Sequence, residues 1–239
     1  MYVLKDLKCS ECGNEIAIIG DKSPSDLNPV VSHGVCIVCQ KSEVLPPEDL
    51  AQFVSENCVV KRDLPMAYAG IGSRETPEDI QNLFSRVASY LSGKGLVLRS
   101  GGAPGADQAF ERGCDSQLGE KEIFLPWKGF EGSTSALVVK EGPAFEIAKE
   151  YHPSWDRLSR GAQLLQARNS HQVLGATLKQ PASFVLCWTK GGKGSGGTGQ
   201  ALRIATAFGI PIFDAGAYTD IGECRRELNA FLKPFLLKM

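Results

Sequence analysis

At Trp188 an apolar run stops and the texture of the chain changes. Ser183-Phe184-Val185-Leu186-Cys187-Trp188 reads as a strand, residues 189–199 carry six glycines, and from Ala201 apolar residues return at helical spacing. Strand, glycine loop, helix is a grammar of phosphate binding. A glycine loop that opens a helix aims several backbone N–H groups at one spot, beside the positive end of the helix dipole, where an anion can bind. A flexible surface loop of low complexity has the same composition. The rest of the chain separates the two readings.

The same order recurs upstream. Ala67-Tyr68-Ala69-Gly70-Ile71-Gly72 is a short apolar run ending in glycine, followed by Thr76-Pro77, an N-cap with proline at the first helical position. Ile80, Leu83, Phe84, Val87, Ala88 and Leu91 then mark a buried helical stripe that Gly93 and Gly95 end. Leu96-Val97-Leu98 is a second strand, running through Ser100-Gly101-Gly102-Ala103-Pro104-Gly105-Ala106-Asp107 into another helix. Residues 121–127 supply a third strand, after which Trp127 and Phe130 read as pocket wall or as core. Residues 155–178 form a long helical stretch that Arg168-Asn169 interrupts. Ile210-Pro211-Ile212-Phe213 is a fifth strand, and a last helix shows Leu228, Phe231, Leu232 and Phe235 on one face. Alternating strands and helices predict an α/β fold, a parallel sheet with helices on both faces.

Residues 1–64 differ in composition. They carry six Lys/Arg against ten Asp/Glu, while residues 65–239 carry twenty against seventeen, so a net charge of -1 hides a split. The mildly basic larger part favours a compact anionic ligand over a long polyanion. Cys9-Ser10-Glu11-Cys12 and Cys36-Ile37-Val38-Cys39 are two C-x-x-C units with twenty-three residues between them, a spacing that presents four thiolates to one structural Zn2+. Reduced cysteines in a small core, or a redox pair, are the alternatives. Residues 15–19 read as a strand and Val30-Val31 as its return, giving a zinc-ribbon-like hairpin. The expected organisation is a four-cysteine module over 1–45, a connector over 46–64 with a helical stretch at 48–57, and an α/β domain over 65–239. No apolar run approaches the ~20 residues of a membrane span, and the first residues lack a signal-peptide layout, so a cytoplasmic protein is expected.

Four motifs in order, Gly70-Ile71-Gly72-Ser73-Arg74, Ser100-Gly101-Gly102-Ala103-Pro104-Gly105-Ala106-Asp107, Ala167-Arg168-Asn169 and Ser195-Gly196-Gly197-Thr198-Gly199-Gln200-Ala201, resemble the DNA-processing protein A (DprA) family. They are also similar to its wider superfamily, which includes the LONELY GUY (LOG) phosphoribohydrolases. The likeness covers residues 66–214 and leaves the cysteine module outside. It implies a Rossmann-like fold whose loops converge at the carboxyl edge of the sheet. It implies a ligand site of Gly72, Ser73, Arg74, Ser100, Gly101, Gly102, Gly105, Asp107, Arg168, Asn169, Gly196, Gly197, Thr198 and Gly199. Arg74 would fork onto phosphate, Asp107 would hold a ribose hydroxyl or cap a turn, and residues 196–199 would form a phosphate nest. Two departures stand out. Aligned on the LOG glycine motif, Arg203 occupies the place of the glutamate, and Ser170 stands where a second arginine commonly follows Arg-Asn. The first opposes hydrolysis of an N-glycosidic bond, because cleavage builds positive charge on the ribose.

The expected function is therefore binding of a nucleotide or nucleotide derivative, as a sensor or sequestering protein, with no catalytic residue assigned. Hydrolysis of a nucleotide at its glycosidic bond and DprA-like binding of single-stranded DNA in recombination are the alternatives. A homo-oligomer is compatible with either, and no membrane partner is expected.

Overall fold

The computed structural model describes the backbone of residues 2–8, 15–18, 33–36 and 42–44, and residues 66–237. The chain forms two compact units, Met1–Leu64 and Pro65–Met239. In the first, strands β1 (Tyr2–Lys8), β2 (Glu15–Ile18), β3 (His33–Cys36) and β4 (Ser42–Val44) pair antiparallel in that order. The expected strand at 15–19 is β2. Cys9, Cys12, Cys39, the return at Val30-Val31 and the helical stretch at 48–57 lie outside the described residues.

The second unit is an α/β fold around a five-stranded sheet. Strands β5 (Ala67–Gly70), β6 (Val97–Ser100), β7 (Lys121–Ile123), β8 (Val185–Cys187) and β9 (Ile212–Asp214) lie in the order β7-β6-β5-β8-β9, all parallel. Strand side chains alternate between two faces, each covered by helices. Tyr68, Leu98 and Leu186 pack under α1 (Glu78–Gly93), α2 (Ala106–Asp115) and α6 (Ile221–Leu236). Ala69, Val185 and Cys187 face α4 (Arg160–Leu174) and α5 (Gly196–Ala207), against which α3 (Pro143–Tyr151) packs through Ile147. Fully buried Phe84, Leu91, Leu98 and Phe110 contribute about 1.5–3 kcal/mol each. Among the described residues no helix is long and apolar enough to cross a membrane.

The helix starts differ from expectation in an instructive way. Pro77, not Thr76, occupies the cap position of α1, with an extended ψ of 151°. The Thr76 hydroxyl instead donates to the Ser73 carbonyl at 2.6 Å, closing the turn that carries Ser73 and Arg74. Arg168-Asn169 does not interrupt its helix. α4 runs unbroken from Arg160 to Leu174, capped by the Ser159 hydroxyl, which accepts from the Ala162 N–H. Its polar residues 168–170 and 172 are buried, so the apolar pattern breaks while the helix does not.

Strand order reverses between β5 and β8, the first leading outward to β6 and the second to β9. In open α/β sheets this switch point is where the loops at the strand carboxyl ends part and leave a crevice.

Candidate functional site

Three loops leave the sheet at that crevice. The loop after β5 carries Gly72, Ser73 and Arg74; the loop after β6 carries residues 101–105; and the connection after β8 reaches Ser195, the cap of α5. They approach one another closely where glycine leaves room. A Cβ on Gly72 would lie 2.5 Å from Ala106 Cβ, and one on Gly105 would lie 2.5 Å from the Ser73 carbonyl oxygen. Gly105 also has φ +88°, which side chains avoid. The loops enclose a cavity of about 390 Å³, the size of an ordinary small-molecule site.

Arg168 and Asp107 form the cavity's charged floor. Arg168 enters from α4 with a side chain 7% exposed, and its Nη1 donates to Asp107 Oδ2 at 3.4 Å. Asp107, in the first turn of α2, accepts the Gly72 N–H at 3.1 Å through its other oxygen. Burial pushes the Asp107 carboxyl above its usual range, while Arg168 and the backbone N–H groups of Ala103 and Gly72 pull it back. Burial likewise lowers the Arg168 guanidinium, with Asp107 holding it up. With the Gln172 amide turned so that its oxygen faces donors, that oxygen accepts from Arg168 Nη1 at 3.1 Å and from the Gly101 N–H at 3.0 Å, and its nitrogen donates to Asn169 Oδ1. Arg168 Nε is buried and has no partner among the described residues. An unsatisfied buried donor of this kind is costly unless a ligand or water completes it.

The opposite wall is the first turn of α5. Gly196, Gly197 and Thr198 line the cavity as the first helical residues, so their N–H groups lack intrahelical acceptors. Asn169 Nδ2 donates to the Gly197 carbonyl at 2.9 Å and fixes this turn against α4. Arg74 stands at the rim with its side chain 59% exposed, paired to Glu131 at 2.8 Å. Phe130 completes the wall, with the Arg168 guanidinium 5.9 Å from its ring centre. Trp127 is 42% exposed and meets Phe130 edge-on, so of the two aromatics Phe130 alone lines the cavity.

Of the residues singled out in the sequence, Gly72, Ser73, Arg74, Asp107, Arg168, Asn169, Gly196, Gly197 and Thr198 line this cavity. Ser100, Gly101, Gly102, Gly105 and Gly199 do not, and they serve the frame. The Ser100 hydroxyl donates to the Gly70 carbonyl at 2.6 Å, tying β6 to β5. Gly101 leaves the space that Arg168 fills, since a Cβ there would fall 1.1 Å from Nη1. Gly102 turns the loop at φ +70°, and Gly199 lets α5 pass the Gly194 carbonyl, which a Cβ would approach to 2.0 Å. Arg203 also faces away: its Nε donates to the Tyr151 carbonyl at 2.8 Å and its Nη2 to Gln200 Oε1 at 2.7 Å. The α5 residue that meets the cavity one turn in from Gly197 is Ala201, as helical periodicity requires.

Sequence reasoning missed Gln172 and Gln166, which come to the site only because α4 turns that face inward. It also missed Thr189 and Asp214. Asp214 Oδ1 accepts the N–H groups of Thr189 at 2.8 Å and Gly216 at 2.9 Å, and the Thr189 hydroxyl accepts the Gly194 N–H, setting where α5 begins. Among the described residues no cluster of His, Cys, Asp and Glu is suited to a metal ion.

No family model and no curated protein matches the sequence. Among solved structures, the chain is similar to DNA processing protein A from Helicobacter pylori, described for its single-stranded DNA binding mode, with 20% identity over 63% of this chain and a TM-score of 0.43. The chain spans 65% of that protein's length. It is also similar to the Moco carrier protein of Chlamydomonas rheinhardtii, with 12% identity, 70% of this chain and 83% of that chain covered, and a TM-score of 0.39.

Proposed function

We propose that this protein binds a nucleotide or nucleotide derivative by its phosphate in the switch-point cavity, as a sensor or sequestering protein. One observation carries the reading: the Arg168 guanidinium lines the same cavity as the first-turn N–H groups of a helix, which have no intrahelical acceptors. Each alone is ordinary. Together they offer charge-assisted donors from two directions to one anion, in a space too small for a folded polyanion. Arg74 at the rim adds a second planar fork.

The reading is of binding without turnover. The Asp107 carboxylate is engaged by Arg168 and Gly72, and Arg203, at the place of the LOG glutamate, turns away from the cavity to the Tyr151 carbonyl and Gln200. Calorimetric titration with AMP tests this. Wild-type protein should bind AMP and release it intact, and Arg74→Ala should weaken binding about ten-fold or more, the loss of one charged hydrogen-bonded partner. AMP affinity unchanged by Arg74→Ala would contradict the site, and accumulation of free adenine would replace binding by hydrolysis.

For the amino-terminal unit the proposal is a structural Zn2+ held by Cys9, Cys12, Cys36 and Cys39. The strand pairing supports it. β1 ends at Lys8 opposite Glu15, and β3 ends at Cys36 opposite Ile16, so the chain enters both C-x-x-C units from the same end of the sheet. Four thiolates close a tetrahedral shell and leave no position for chemistry. Metal analysis of the purified protein should return one zinc per chain; a metal-free protein with a folded amino-terminal unit would refute it.

A further inference from the structure

The geometry points to Glu131 as a specificity-determining residue: it competes with the ligand's phosphate for Arg74 and so limits the negative charge the cavity accepts. This rests on the phosphate site proposed above. Arg74 lines the cavity from the loop after β5, and its Nη2 donates to Glu131 Oε1 at 2.8 Å, from a turn 57 residues away in the chain. That turn is shaped to deliver one carboxylate. Glu131 has φ 48° and ψ 32°, a left-handed conformation that a residue with a Cβ adopts only at a cost. Gly129 and Gly132 flank it at φ +75° and +77°, and a Cβ on either would meet nothing within 4 Å. Glycine at these two positions therefore serves the backbone conformation and not packing. Between them Phe130 is buried, lines the cavity and anchors the turn from inside.

The exchange is favourable in direction. An exposed carboxylate–arginine pair is weak, here with side chains 59% and 32% exposed, whereas a phosphate can take the guanidinium fork with two parallel bonds. The displaced Glu131 carboxylate stays on its turn near Arg74, the residue that takes the phosphate, because its backbone does not need to move. Its repulsion then grows with the number of ligand charges, which disfavours a triphosphate more than a monophosphate.

The test compares wild type, Glu131→Gln, Arg74→Ala and the double variant in titrations with AMP and with ATP. It also measures the rate at which phenylglyoxal modifies Arg74 in each ligand-free protein that retains it. Glu131→Gln should bind AMP about two- to five-fold more tightly, the range an exposed ion pair spans, and ATP should gain more. The gain should vanish in the Arg74→Ala background. Arg74 should be modified faster in Glu131→Gln, with buried Arg168 unreactive in both proteins as the internal reference. Equal Arg74 rates overturn the inference whatever the nucleotides do. Faster modification with unchanged or weaker AMP binding overturns it too, by making Glu131 a positioning residue for Arg74. If neither nucleotide binds any of the proteins, the phosphate site fails and this inference with it; the modification rates distinguish that failure from one of Glu131 alone.

Discussion

Gly101 is glycine because Arg168 occupies the place where its side chain would be. A Cβ would fall 1.1 Å from Nη1 and 2.6 Å from the Gln172 side-chain amide, so in Gly101→Ala the end of the Arg168 side chain must shift. We expect a loss of about 1–3 kcal/mol in stability and of nucleotide binding with it, measured by denaturant unfolding and calorimetry. Gly161, in the first turn of α4, is the control, because a Cβ there would meet nothing within 4 Å: Gly161→Ala should be neutral or stabilise by about 0.4–1 kcal/mol. Arg168→Ala should cost about 3–5 kcal/mol, because it strands the buried Asp107 carboxylate; a loss under about 1 kcal/mol would mean that the pair is not buried as described. At this scale the sequence was half legible. Arg168 and Asp107 both stood out, but 61 residues separate them, and nothing in the sequence says that one neutralises the other. Ser100, Gly101 and Gly105 lie outside the cavity lining, and a glycine-rich motif reads the same whether it approaches a ligand or makes room for a neighbouring side chain.

The elements were more legible than the loops between them. Alternating apolar runs predicted all five strands of the parallel sheet, since burial on both faces leaves continuous hydrophobic segments. The six-glycine stretch was harder to read, for it holds two structures. Gly191, Gly192 and Gly194 belong to a tight turn in which a Cβ on Gly192 would lie 2.7 Å from Ala217 Cα, whereas Gly196 and Gly197 open α5 with nothing within 4 Å. Only the second group borders the cavity. In α4 the last turn carries His171, stacked on Phe124 at 5.4 Å and bonded through Nδ1 to the Gly175 carbonyl. Burial lowers its affinity for a proton below the ordinary value near 6.5, against the opposing pull of the Gly175 carbonyl, so below that value the folded state binds fewer protons at His171 than the unfolded chain does. Its contribution to stability is therefore present above about pH 6.5 and is lost as pH falls through that value towards the folded pKa. Melting temperatures from about pH 7.5 to 5 should fall in wild type and fall less in His171→Phe, which keeps the aromatic stack. Parallel curves would exclude His171 as the source.

Taken whole, the protein has two units of different character, and each carries a separate expectation. The change of composition near residue 64 was visible as an acidic excess giving way to a mildly basic, strand–helix segment, and the compact units divide between Leu64 and Pro65. A chelator strong enough to strip the proposed zinc should unfold the amino-terminal unit and leave the melting of Pro65–Met239 in place, because the second unit has its own apolar layers on both faces of the sheet. A single loss of all structure on chelation would contradict that independence. The central claim, a phosphate held at the start of α5, is tested most directly by thermal melting with AMP in wild type and Thr198→Glu. A glutamate in the first turn suits the helix dipole, so the variant should fold as well as wild type or about 0.3–1 kcal/mol better, while its charge occupies the place meant for phosphate. The account predicts a melting temperature that rises with AMP in wild type and stays flat in Thr198→Glu; an equal rise in both would contradict it.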